Sequence, residues 1–147
     1  MDLLYGIIYK TLALILEKIR MKNTVIMDTS SILYAASKNS DPFEAIMDLL
    51  SDAVITISSG VINELRMISK RKKGQWTYAA FALSLIKEHN AKGEILIINS
   101  RGNVDAWIVG AAKEKDSYVC TNDSKLREAL KKRGVKVITI SEDGMAR

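Results

Sequence analysis

VIMDTSSILYA, residues 25–35, carries three apolar residues into a carboxylate and three hydroxyls before turning apolar again. The β-branched run before the charge reads as a short buried strand, Thr24 to Met27. A buried strand that ends in Asp28, Thr29, Ser30 and Ser31 must open at its carboxyl end onto something that needs those groups, because uncompensated burial of a charge is costly.

The pattern continues outward from there. Further strands are expected at Val54–Ile57, Glu94–Ile98, Ser117–Cys120 and Val135–Ile140. Segments of helical period lie between them. One opens at Asp41, with Pro42 at the first helical position and Glu44 closing a capping box. Others run over Gly60–Ser69, Gln75–Asn90 with a stop at Gly93, Val104–Lys115, and Ser124–Arg133 with a stop at Gly134. Near-continuous apolar strands separated by helices predict a central parallel five-stranded sheet covered on both faces, a three-layer α/β/α domain. No internal repeat, low-complexity segment or interdomain linker interrupts it.

At 147 residues and 48% hydrophobic, the chain is long enough for one packed domain. Its formal charge of +5 makes an anionic partner reasonable and says nothing of the fold. The single cysteine, Cys120, has no partner for an internal disulfide, and no leader with a small-residue cleavage site is recognisable, so a reducing cytoplasm is the expected home. One histidine, His89, excludes sites built on two. Residues 1–20 form an apolar helical extension to the domain at 21–147. Lys10 splits it into the uncharged runs Leu3–Tyr9 and Thr11–Leu16, well short of the roughly 18 residues of a membrane-spanning helix, so no membrane span is expected. Packing on the domain or on a second subunit is favoured over a membrane surface.

The acids now fall into place. Asp28 ends the first strand, Glu64 lies early in the helix after the second, Asp105 opens the helix after the third, and Asp123 follows the fourth. In an open α/β sheet the carboxyl ends of the strands form the ligand crevice, so these four are candidates for one cluster. Clustered carboxylates repel, and the usual relief is a cation. Oxygen ligands without Cys or His suit Mg²⁺ or Mn²⁺, as one or two ions, which serve phosphoryl chemistry. Ser30 and Thr121 are placed to orient a carboxylate, a water or a phosphate. Taken singly, Asp105 and Asp123 would read as helix caps, and Glu64 as a solvated helix residue. Asp41, Asp48, Asp52 and Asp116 read as caps or surface charges away from this edge.

Four motifs in this order, VIMDTSSIL, VINEL, VDAWIVGAA and TNDSKLREALKKRGVKVI, resemble the PIN-domain ribonucleases, toxin-like and ribosomal-RNA-processing members included. The resemblance spans about Asn23 to Ile140, and TND followed by a leucine and a basic helix is its most specific part. It implies a metal-dependent endonuclease acting on RNA, often as a homodimer; as a toxin it would need an antitoxin protein. Arg66, Lys70, Arg71, Lys72 and Lys73 downstream of Glu64, and Lys125, Arg127, Lys131, Lys132 and Arg133 downstream of Asp123, are candidates to hold an RNA backbone. Trp76, Tyr78 and Trp107 are candidates to stack bases, although such residues at helical spacing usually belong to a core.

Other classes fit less well. A phosphoryl-accepting receiver would pair two acids near the first strand, and a haloacid-type phosphatase would want Asp where this chain has Ser30. Neither GxSxG nor GxxxxGK occurs. The alternative that stays open is a catalytically inactive module of the same fold that binds RNA or protein.

Overall fold

A computed structural model describes residues 3–20, 23–115 and 117–147. In chain order these form α1 (Leu3–Arg20), β1 (Thr24–Met27), α2 (Thr29–Ser37), α3 (Pro42–Leu49), β2 (Val54–Ser58) and α4 (Ser59–Lys70). There follow α5 (Trp76–Ala91), β3 (Ile95–Ile98), α6 (Val104–Lys115), β4 (Tyr118–Cys120), α7 (Ser124–Lys132) and β5 (Val137–Ile138). Asp116 lies outside the described residues.

The five strands are parallel, in the order β3-β2-β1-β4-β5. Their period-two alternation feeds two cores. Val25 and Met27 of β1, with Ile55, Ile57 and Ile95, face one side and pack with Ile32, Phe43, Leu65, Ala79 and Ile86 from α2 to α5. Ile26 and Val119 face the other side, where Ile108, Ala112, Leu126 and Leu130 of α6 and α7 cover them. This is the three-layer α/β/α arrangement expected of doubly covered parallel strands. The chain leaves β1 toward β2 and β3 and later returns to β4 on the other flank, so the switch point lies between β1 and β4.

Two sequence expectations need correction, and one helix stands where the sequence assigns none. Thr29–Ser37 is a helix, although its hydroxyl-rich start reads poorly as one. Ser31 settles it by donating its hydroxyl to Asp28 O at 2.8 Å and Cys120 O at 2.9 Å, while Ile32, Leu33, Ala35 and Ala36 are buried. The last strand is only Val137–Ile138, because Ile140 leaves the parallel ladder to bridge Ala146 antiparallel. Asp41 does cap α3, accepting from Phe43 N at 2.9 Å and Glu44 N at 3.3 Å, but the exposed Glu44 returns no bond, so the capping box is half made. His89 is a buried residue in the last turn of α5 and donates from Nε2 to Asp41 Oδ2 at 2.6 Å, tying α5 to the start of α3.

Leu3–Arg20 is helical, and its described side chains are not part of the domain's core. Every side chain described on α1, residues 3–16, is exposed. Among the described residues, no helix is long and apolar enough to cross a membrane.

Candidate active site

Asp28 is the first residue past β1 and stands at the N-cap position of α2, yet its side chain makes no cap hydrogen bond. Its Oδ2 instead accepts from Ser30 Oγ at 2.7 Å and from Thr121 Oγ1 at 2.8 Å, and the two hydroxyls stand 3.1 Å apart. Asn122 N donates to Ser30 Oγ at 3.0 Å and Asp123 N to Thr121 Oγ1 at 3.1 Å. The loops after β1 and β4 are thereby locked together across the switch point, and Asp28, only 4% exposed, is fixed by the two hydroxyls singled out in the sequence.

Glu64 projects from α4 and accepts at Oε2 from Thr29, the first residue of α2. Asp105 lies in the first turn of α6. That turn is set against α4 by Ser100, which accepts from Gly60 N at 3.0 Å and donates its own N–H to Ser59 Oγ at 2.9 Å. Gly60 suits the close approach: a Cβ there would stand 3.0 Å from both Ser100 Oγ and Val104 Cγ2, so those side chains would have to shift. Asp123 caps α7, with Oδ1 accepting from Lys125 N at 2.9 Å and Leu126 N at 3.2 Å.

All four acids line one open cavity of about 450 Å³, with Ser30, Tyr34, Gln75 and Asn122 among its other walls. Their proximity is also electrostatic. Partial burial, and then the charges of Asp28, Asp123 and Glu64, raise the Asp105 carboxyl above its ordinary 3.8. The cluster anticipated from the strand ends is therefore assembled around one space. It is not a closed ion shell: among the described residues, no three His, Cys, Asp or Glu side chains are arranged to hold a metal ion. The hydrogen bonds explain the spacing, since they commit Asp28 Oδ2, Glu64 Oε2 and Asp123 Oδ1 to protein donors. One oxygen on each of these three, and the Asp105 carboxylate, make no hydrogen bond to described residues. Such an oxygen-only donor set fits a hard divalent cation.

None of the candidate basic residues lines this cavity; they follow its acids Glu64 and Asp123 in the chain. Arg66 and Lys70 are exposed on the second half of α4, and Arg71, Lys72 and Lys73 follow in the loop that delivers Gln75 to the cavity wall. Lys125 shares with Asp105 a neighbouring groove between α6 and α7, and Arg127 is half-buried one turn in from the Asp123 cap. Among the described residues, none of these side chains is paired with a carboxylate. The aromatics fare differently. Trp107 packs against the α6–α7 core, and neither it, Trp76 nor Tyr78 lines the acidic cavity, where Tyr34 stands instead.

Sequence reasoning missed Thr29, whose contact with Glu64 spans two elements, and Asn122. Asn122 donates Nδ2–H to Ile140 O at 2.8 Å and accepts at Oδ1 from Ile140 N at 3.0 Å, clasping the end of the last strand. The TND motif carried the signal for Asn122; nothing local announced Thr29, because its partner lies 35 residues away.

A family profile described as PIN like domain matches residues 25–142. No curated protein matches the chain significantly. Among solved structures, one described as the PIN domain endonuclease Utp24 is similar with a TM-score of 0.67 and 24% identity, over 84% of this chain and 89% of that one. A domain of a functionally unknown protein from Methanocaldococcus jannaschii DSM 2661 is similar with a TM-score of 0.60 and 21% identity, over 81% and 91%. At these identities the likeness is one of fold.

Proposed function

The chain belongs to the PIN-like domain family, and from that membership we propose that it is a metal-dependent endoribonuclease that hydrolyses RNA phosphodiester bonds at the acidic cavity. The observation that carries this reading is the convergence of Asp28, Glu64, Asp105 and Asp123, from four separate chain segments, on one open space. Four like charges gathered at the carboxyl edge of a sheet oppose folding unless a ligand uses them.

Mg²⁺ or Mn²⁺, as one or two ions held by these carboxylates, supplies positive charge and Lewis acidity at the scissile phosphate. The protein's own part is positioning. Ser30 and Thr121 hold Asp28 Oδ2, which leaves Oδ1 for the ligand, and Thr29 does the same for Glu64 by occupying Oε2. The Asp123 cap ties the carboxylate to the backbone of α7, the helix that carries Lys125 and Arg127. Those two residues, with Arg66 and Lys70 to Lys73, hold the backbone of the RNA on either side of the cavity. The exposed basic loop favours a structured RNA. An antitoxin protein that covers the acids, and a second copy of the chain, are the protein partners this reading admits. A reducing cytoplasm suits the lone buried thiol of Cys120.

A second reading, a module of the same fold that grips RNA or protein and cuts nothing, draws on the hydrogen bonds that already commit one oxygen each of Asp28, Glu64 and Asp123 to protein donors. One experiment separates the two: incubation of mixed single-stranded and structured RNA with Mg²⁺, Mn²⁺ or excess chelator, beside Asp28→Asn. Discrete fragments that chelator and Asp28→Asn both abolish support the nuclease. RNA that is bound but intact under every condition supports the binding module.

A further inference from the structure

We propose that α1 is a self-association helix that packs against α1 of further copies of this chain through a seam formed by Ile8, Leu12 and Ile15. Ten large apolar side chains on α1 are between 49% and 81% exposed, and α1 contributes to neither core. Together they leave on the order of 1,000 Å² of apolar surface in water, more than the largest patch on a typical monomer and comparable to one side of a specific interface. Helices in proteins draw most of their stability from packing an apolar face, and α1 has no such packing on its own domain.

Three observations single out a copy of the same helix. No described helix is long and apolar enough to cross a membrane. A helix lying on a lipid surface needs a strongly basic polar face, whereas α1 carries only Lys10, Lys18 and Arg20 as basic residues, one of them offset by Glu17. The apolar positions 8, 12, 15 and, in the sequence, 19 are spaced four, three and four apart, the repeat of a coiled-coil seam. Leu3, Lys10 and Glu17 recur every seven residues on the opposite face. Leucine at the position between two isoleucines, with Leu4 and Leu16 widening the apolar arc, favours three or four helices over two.

The test is the mass of the full chain in solution by light scattering, for the wild type, for Leu12→Glu with Ile15→Glu, and for Leu3→Glu. A multiple of 16.3 kDa is expected for the wild type and for Leu3→Glu. The double variant is expected to be monomeric, its association weakened at least about a hundredfold, with an unchanged thermal transition of the domain. A monomeric wild type overturns the proposal, as does a double variant of unaltered mass. Flotation of monomeric wild type with anionic phospholipid vesicles would overturn it in favour of a lipid surface.

Discussion

Asp28 shows how a single residue acquires its environment. Its carboxylate is nearly buried, and two hydroxyls fix one of its oxygens while the other remains uncommitted. Thr29 treats Glu64 in the same way. If the proposed nuclease reading holds, Thr29→Val is expected to lower cleavage activity by about tenfold or more with little loss of fold, as removal of an orienting partner does at metal sites; a kcat comparison beside the melting curve checks it. Asp105 works against stability. Its folded carboxyl binds a proton more tightly than the unfolded chain's, so in metal-free protein its charge opposes folding at neutral pH. That opposition is relieved as pH falls through its raised value, and the relief is complete below the ordinary 3.8. Asp105→Asn should raise the Tm at neutral pH by about 1–2 °C while it reduces cleavage, a stability gain at the expense of function. Cys120 presents the opposite case of an inert group: burial pushes its thiol up to about 12. Iodoacetamide at pH 8 should leave it unmodified until the protein unfolds, with mass spectrometry as the readout.

The elements are held by a few junctions. Asp41 caps α3 and accepts from the buried His89 of α5, so one carboxylate serves two helices. Asp41→Ala removes the cap and leaves the imidazole unpaired; a loss of about 2–3 kcal/mol is expected, read from chemical denaturation. The cap itself was legible, since Asp41, Pro42 and the apolar run beyond them are local signals. The His89 contact was not, because it joins residues 48 apart that meet only once α3 and α5 share a core. The first helix after β1 was missed for the same reason. Thr and Ser carry weak helix propensity, and Ser31 finds its acceptors on Asp28 and on Cys120 of another strand. β5 was overextended because the apolar period of residues 135–140 says nothing of where Asn122 draws Ile140 out of the ladder.

For the whole molecule, the sheet order brings the acids to one cavity, and among the described residues the basic side chains that follow Glu64 and Asp123 in the chain are paired with no carboxylate. RNA binding by the metal-free protein should weaken steeply as salt rises, and Lys70→Glu with Lys72→Glu and Lys73→Glu should lower affinity by about tenfold or more and flatten that dependence, in an anisotropy titration across salt concentrations. The sequence alone determined the class of the fold, since strand and helix periods and the β-branched runs are properties of neighbours. It also pointed to the four acids, since Asp28 and Asp123 follow β1 and β4 and Glu64 and Asp105 lie in the helices that follow β2 and β3, and a parallel sheet brings those connections to one edge. Only the tertiary structure decided how far apart the acids stand and which oxygen of each remains uncommitted. It alone decided that α1 lies outside the core. Those outcomes depend on contacts between residues tens of positions apart, such as Thr29 with Glu64 and Thr121 with Asp28, and no local period encodes them.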